Sequence, residues 1–486
     1  MHLIDPSAHS RRAFLRRSGQ LAMAGTALPF ALNLAAMGEA AAQAAPGDDY
    51  KALVCIFLFG GNDYANSVVT YDPPSYDAYA TARGAQAGGG VAIARSTLDA
   101  TLLAPTTALP EGRQYALNPA MTELAGLFAA GSAAVQLNVG PLVVPLTRAQ
   151  FNSNNKKLYP QPPKLFSHND QQSTWQSSSP EGASVGWGGN IGDVVLRQNS
   201  NALFTCMSVS GNAVFLSGDS ALQYQVSTGG AVKINGISGG GNGYATSAVR
   251  GALAQLAQAP RTHALENEYT KVTKRAVEAE GAITSAIGAG FDANVFPATG
   301  LGSQLAMVAR LVRGRSALGT KRQVFFVSMG GFDLHDDLVG RQPVLMKQLS
   351  DAMAAFHRQM VAQGMGDKVT AFTASDFGRT LASNGNGSDH GWGSHHFVVG
   401  GAVKGKQLYG TPPVVSIVND AKLAGYEGHV GQGRLIPSTS VDQYAATLAT
   451  WFGVPEADLP GILPNLKNFG GSANGIAYPK NVGFMG

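Results

Sequence analysis

The sequence predicts an α/β protein organised on a buried, mostly parallel sheet, and three observations point there. Apolar runs at 52–59 (ALVCIFLF), 322–328 (RQVFFVS) and 369–373 suit strands covered on both faces. Stretches of strand and helix character alternate along most of the chain, the pattern of a layered sheet. Aspartates and histidines follow several of these strands directly, and in an open α/β sheet that edge is where ligands bind.

The chain has 486 residues, with no Pro-rich or charged linker to divide it. Its formal net charge is +4, several positives lie near the N-terminus, and no polybasic patch follows, which argues against a nucleic-acid partner. Charged residues make up only 14% and glycine fills 61 positions, so the chain reads as loop-rich and folded rather than disordered. Ser10-Arg11-Arg12-Ala13-Phe14-Leu15-Arg16 is a twin-arginine export motif. A moderately apolar stretch over 21–37 and a small-residue cleavage site, Ala42-Gln43-Ala44, follow it. Gly19, Gly25, Pro29 and Gly38 interrupt that stretch, which is too short and weakly apolar for a stable membrane span. The expectation is a signal peptide over 1–44, removed to leave a single domain over 45–486 that is periplasmic or secreted. Twin-arginine export carries proteins already folded, which suits a domain loaded with metal beforehand. Cys55 and Cys206 both lie in apolar runs and read as buried free thiols, with one disulfide between them as the other reading.

Taken in order, the first strand ends abruptly in Gly60-Gly61-Asn62-Asp63, so Asp63 is either a turn cap or a ligand at a strand's C-terminal end. Residues 72–118 are turn-rich and yield no clear element. Asn118-Pro119 supplies an N-cap and a first-turn proline for a helix to Phe128, and 133–139 is the next strand. The polar stretch LFSHNDQQSTWQ (165–176) offers Ser167 or Thr174 as nucleophile and His168 or Asp170 as base or ligand. With no GxSxG motif present, it reads equally well as a capped loop. A helix over 189–198 follows. Residues 203–243 form short strands broken by glycines, a β-rich excursion at a pocket rim. Helices are expected over 246–258, 263–287 and 301–313, the second with the mixed charges of a solvated face.

Strand 322–328 runs into Asp333 and His335, which point the same way on extended backbone and can reach one ion. A helix over 339–363 takes its cap from Asp336 or Asp337. The densest polar stretch, 375–401, then carries Asp376, Arg379, Asp389, His390, His395 and His396, three of the ten histidines falling within seven residues. Such groups in a Gly/Asn/Ser loop at strand ends can bind a metal or an anionic ester. His395 and His396 are adjacent and point apart, which favours His390 and His395 as ligands, with His396 as the alternative. An edge strand over 414–418, a helix over 441–452 and a surface-wrapped tail from Gly470 complete the chain.

The motifs GGNDYAN (60–66), FSHNDQQSTWQ (166–176), GGFDLH (330–335), SDFGRT (375–380) and DHGWGSHHFVVGGAVKG (389–405) together resemble a twin-arginine-exported family, domain of unknown function fifteen-oh-one. The resemblance spans nearly the whole mature chain. That family is similar to the alkaline-phosphatase and sulfatase superfamily, which implies a three-layer α/β/α sandwich with metals at the strand ends. Asp63, Asp333, His335 and Asp376 match the superfamily's ligand positions in order. His390 and His395 would supply the remaining imidazoles. Phe377 stands where many superfamily members carry His, and the Asp333/His335 spacing is narrower than usual. Ser167 falls in about the chain position of the nucleophile.

Two functions follow. The first is an exported, metal-dependent hydrolase of phosphate or sulfate esters. Asp63, Asp333, His335, Asp376, His390 and His395 would hold zinc, calcium or magnesium, with Ser167 attacking and Arg379 clamping the anionic ester. The second is a non-catalytic binding or assembly protein that keeps the fold and meets another exported protein. A triad of Ser167, His168 and Asp170 is disfavoured, because neighbours so close in sequence rarely converge on one reacting atom.

Overall fold

Strand β1 (Lys51–Leu58) sends alternate side chains into two separate cores. In the computed structural model, which describes residues 49–84, 90–153, 155–237 and 246–486, Val54, Ile56 and Leu58 enter one core and Leu53, Cys55 and Phe57 the other. Neither face meets water, so the strand needs no polar alternation.

The main sheet continues through β2 (Ala133–Gly140), β3 (Cys206–Ser208), β4 (Gln223–Ser227), β5 (Gly230–Ala231), β6 (Arg322–Met329), β7 (Val369–Ser375), β8 (Ser394–Val399), β9 (Gln407–Tyr409) and β10 (Thr439–Ser440). Their order is β9-β2-β8-β7-β1-β6-β3-β4-β5, with β10 also paired to β2. β1 runs parallel to both β6 and β7, and β3 runs parallel to β6 and β4. β8 is antiparallel to β7 and β2, and β5 is antiparallel to β4. The sheet is therefore mixed but mostly parallel.

Helices cover both faces, and others lie outside the two main cores. The longer ones are α1 (Pro73–Gly84), α2 (Thr122–Ala129), α3 (His168–Ser177), α4 (Trp187–Val195), α5 (Ser247–Gln258), α6 (Ala264–Ile287), α7 (Gly300–Arg313), α8 (Leu338–Ala362) and α9 (Val441–Phe452). Leu124 of α2, Ile283 of α6, Leu305 of α7 and Met353 of α8 fill one core. Trp175 of α3, Trp187 of α4 and Tyr444 of α9 fill the other. This is the α/β/α sandwich expected from the sequence.

Several local expectations give way. α2 starts at Thr122, because Asn118 spends its side chain on Asn66 O and on Ala120 N–H rather than capping a helix. α8 begins where predicted, but Asp337 adopts φ 47° and makes no side-chain cap. Residues 414–418 are not a strand, and the Ser416 hydroxyl accepts the Val418 N–H in place of a ladder partner. The edge strand is β9 instead. The glycine-broken stretch after 203 joins the main sheet as β3–β5. Residues 72–118, which showed no clear element, hold α1 and a strand, Tyr115–Leu117, paired to Val68–Thr70. Cys55 and Cys206 are buried free thiols. No helix among the described residues is long and apolar enough to cross a membrane. The leader expected over 1–44 lies outside the described residues.

Candidate metal centre

Four adjacent strands bring the polar segments to one edge of the sheet. β1, β6 and β7 end there, and β8, running the other way, begins there, so the hairpin Arg379–Ser383/Ser388–His390 that precedes β8 folds over the same edge. Gly60 makes the close approach feasible: it has φ +115°, and a Cβ there would lie 2.3 Å from the amide nitrogen of Asp333.

The cluster consists of His168, Asp333 and His390, with donor atoms mutually within 4.8 Å. His168 Nε2 is 3.1 Å from His390 Nε2 and 3.5 Å from Asp333 Oδ2. His390 Nε2 is 3.3 Å from Asp333 Oδ1. His335 closes the group, its Nε2 lying 3.0 Å from both Asp333 Oδ1 and His390 Nε2.

The partners of the other imidazole nitrogens fix where the lone pairs point. His168 Nδ1 faces Asp376 Oδ2 at 2.6 Å, His390 Nδ1 faces the Phe166 carbonyl at 2.7 Å, and His335 Nδ1 faces Asp389 Oδ1 at 3.2 Å. All three partners accept only, so each Nδ1 carries the proton and a neutral ring has its lone pair on Nε2. Those lone pairs converge. At separations near 3 Å they repel one another unless a cation or a proton lies among them. Carboxylate and carbonyl groups that orient a histidine in this way are the usual outer shell of a metal site.

The donor types suit a zinc-like ion. Bonds of about 2.0–2.1 Å give donor–donor edges of about 3.3–3.4 Å; the two imidazoles are 3.1 Å apart, and Asp333 meets them through different oxygens, Oδ1 at 3.3 Å from His390 and Oδ2 at 3.5 Å from His168. Electrostatics agree. Burial alone would raise the Asp333 carboxyl, but the hydrogen bond and charge of Arg379 hold it below the usual carboxylate range. Burial lowers the His390 imidazole, which keeps it neutral and able to ligate. The hydrogen bond that His168 donates to Asp376 raises its own imidazole. Asp376 Oδ2 also accepts from Gln172 and from Gly60 N–H, while its Oδ1 is buried with no partner among the described residues.

Of the six residues expected from sequence as metal ligands, the structure brings four together (Asp333, His335, Asp376 and His390), although Asp376 serves by orienting His168. The others go elsewhere. Asp63 is buried and spends its carboxylate on Asn66 N–H, the Ser388 hydroxyl and Arg83, the last at 2.7 Å. It caps the turn and anchors the hairpin, and it does not join the cluster. His395 is sealed in the core, its Nδ1 accepting Asn138 N–H at 3.0 Å. His396, the alternative, is buried toward the opposite core beside Trp175 and Tyr444. Arg379 is fully buried, and its donors go to Asp333 Oδ1, Gly60 O and Ser388. It holds Asp333 and, with its side chain wholly enclosed, does not present a fork to a substrate. Ser167 directly precedes His168 and donates its hydroxyl to Asp170 at 2.8 Å.

His168 is the member of the cluster that sequence spacing left open between base and ligand. Its partners lie more than 160 residues away, so only its place in a polar loop before a helix marked it. Phe166, whose φ of 75° aims its carbonyl at His390, carried no sequence signal.

Residues 50–422 match the family described as Protein of unknown function (DUF1501). The chain belongs to that family. Among curated proteins, none matches it. Among solved structures, this DUF1501 chain is similar to Ps i-CgsB in complex with k-i-k-neocarrahexaose, with 10% identity, TM-score 0.31, and coverage of 86% of this chain and 76% of that one. It is also similar to a Bacteroides thetaiotaomicron protein, BT33494S-sulf, described with the metabolism of multiple glycosaminoglycans: 10% identity, TM-score 0.30, 84% and 73% coverage.

Proposed function

We propose that this DUF1501 protein is an exported, metal-dependent hydrolase of phosphate or sulfate esters. The observation that carries the reading is the convergence of three Nε2 lone pairs on Asp333, each ring fixed from behind by an acceptor. An imidazole-rich set of this kind favours zinc over calcium or magnesium, which prefer oxygen. A divalent cation held by His168, His390, Asp333 and His335 would polarise an ester oxygen and lower the pKa of a nearby hydroxyl or water.

The protein's own groups have defined tasks. Asp376, Phe166 and Asp389 hold the three rings, and Arg379 holds Asp333. Ser167 is the candidate nucleophile, placed at the N-terminus of α3, where developing negative charge is favoured. Its hydroxyl donates to the Asp170 carboxylate. Burial would raise that carboxyl, but Ser167 and Lys164 hold it below the usual range, making it a weak base.

That engagement of Ser167, with the engagement of Arg379, favours a second reading, a non-catalytic metal-stabilised binding or assembly protein. Elemental analysis of the purified protein decides first: bound zinc is expected, and a protein that binds no divalent metal defeats the hydrolase reading. Hydrolysis of a panel of phosphate and sulfate esters decides next. Activity lost on chelation and restored by zinc supports the enzyme. Zinc-loaded protein inert to every ester supports the second reading. Export is checked by N-terminal sequencing of the protein recovered outside the cytoplasm, which should begin at Ala45.

A further inference from the structure

A metal here would meet one or two oxygens of an anionic ester, which leaves other oxygens to be held by the protein, and Arg379 is enclosed on Asp333. We infer that Arg434 is the residue that recognises the tetrahedral oxyanion of the substrate, an inference that rests on the functional reading above and adds a specificity residue to it.

Three observations carry this. First, Arg434 is docked onto the ligand-bearing segments. Its Nε donates to the carbonyl of His390 at 2.7 Å, and its guanidinium lies 5.3 Å from the ring centroid of Phe166, the residue that orients His390 and nearly adjoins His168. One contact reaches the hairpin and the other the entry to α3, so the guanidinium spans both sources of the imidazole pair.

Second, its charge is uncompensated at short range. No carboxylate among the described residues is within ion-pair distance, and Asp389 acts on it only through space. Arg83 has Asp63 and Arg379 has Asp333. Arg434 is half-buried, and its two terminal nitrogens make no hydrogen bond among the described residues. A guanidinium anchored through Nε presents those two nitrogens as a fork that matches two oxygens of a phosphate or sulfate.

Third, the turn presenting it is strained and specifically held. Gly431, Gln432 and Gly433 all have positive φ, at 100°, 52° and 70°. Buried His429 accepts both Gly431 N–H and Gly433 N–H on Nδ1, and Ala382 N–H bonds Gln432 O. A Cβ on Gly433 would lie 2.3 Å from that of Leu381, so glycine is required there. A non-glycine residue in this region costs free energy, and such strain collects where a side chain must be aimed. The turn lies beyond the residues matched to the family, 50–422.

The test is calorimetric titration of inorganic phosphate, and separately of sulfate, into zinc-loaded and chelator-treated protein. Wild type is compared with Arg434→Met and Arg434→Lys. Losing two charge-assisted hydrogen bonds should weaken binding of the preferred anion about 10–100-fold in Arg434→Met, with zinc content and melting temperature unchanged. Arg434→Lys, a charge without a fork, should fall between. Wild-type affinity in Arg434→Met overturns the inference, as does a wild-type protein that binds neither anion. If Arg434→Met loses zinc or melts early, Arg434→Lys decides: weakened binding supports the inference and wild-type binding overturns it. A protein that takes up no zinc defeats the functional reading, while comparing the Arg434 variants without metal still decides this one.

Discussion

His390 and His395 are five positions apart in the chain, yet one offers a lone pair to an open cluster and the other is closed inside the core. The difference lies in the partner of Nδ1. In His390, His168 and His335 that atom donates to an acceptor, so Nε2 is free to ligate. In His395 it accepts the backbone N–H of Asn138. The sheet register explains why. β8 and β2 pair Ser394 with Val139 but His396 with Gln136, so two residues of β2 oppose one of β8. Asn138, at φ 49°, is on this bulge, and the His395 ring supplies the acceptor that its N–H has lost. A histidine's task is thus set by what faces its second nitrogen.

The sharpest way to break this comparison is to delete one ring from each group. His390→Ala should abolish stoichiometric zinc binding while melting close to the chelated wild type. His395→Ala should keep its zinc but lose about 2–4 kcal/mol of stability, since it opens a cavity and orphans a buried amide. Zinc content by elemental analysis and unfolding by urea read the two effects separately. Zinc loss in His395→Ala alone would mean the two groups are not distinct.

The next largest effect concerns Asp63. Arg83 and Asp63 form a pair with side chains 0 and 1% exposed, and removing one partner of such a pair typically costs about 3–5 kcal/mol. Arg83→Met should therefore lower the urea midpoint more than any single ligand deletion does in chelated protein, while zinc stays bound. If Arg83→Met instead lost zinc with little change in stability, Asp63 would belong to the metal centre after all.

Asp376 lies between the two classes, buried like Asp63 but touching the candidate ligand His168. Asp376→Asn keeps the shape of the side chain and weakens control of the His168 tautomer. Outer-shell changes of this type cost 10–100-fold in metal affinity, so zinc competition against a chromophoric chelator should show a loss in that range, with His168→Ala losing more. An Asp376→Asn variant with unchanged zinc affinity would leave the orientation of His168 without a cause.

The fold was legible because its signals are local. Strands buried on both faces print as unbroken apolar runs, and β1, β6 and β7 were each visible for that reason. The edge was legible too, since Asp333 and Asp376 each follow such a run. The ligand set was not. Asp63 follows a buried strand just as they do, but α1, in a stretch that showed no clear pattern, carries the arginine that occupies it. His395 looked equivalent to His390 because the bulge opposite it is a property of strand pairing, unseen in one strand's residues. His168 and Arg434 act through contacts more than 40 residues distant in sequence, which spacing cannot register.

The smallest effect is a pH slope, and it isolates the closed pair. Burial pushes the His395 and His396 imidazoles down to about 3, against about 6.5 in an unfolded chain. Between those values the unfolded state binds a proton on each ring that the folded state refuses. More protons on the unfolded side means stability rises with pH, so the contribution is complete above about 6.5 and is lost progressively as pH falls toward 3. Inside that window each ring adds about 1.4 kcal/mol per pH unit to the slope, however deep its native pKa lies. His396 suits the test, because its Nε2 has no partner among the described residues, its Nδ1 meets only the Thr373 hydroxyl at 3.3 Å, and its neighbours Trp175 and Tyr444 are aromatic. His396→Phe should shift the whole curve by the packing change and, independently, flatten it by one ring's worth between pH 5.5 and 4.5. Urea unfolding of chelated protein at those two pH values separates offset from slope. An unchanged slope would mean that His396 titrates in the folded protein as it does in water, which would remove the contrast with the open cluster.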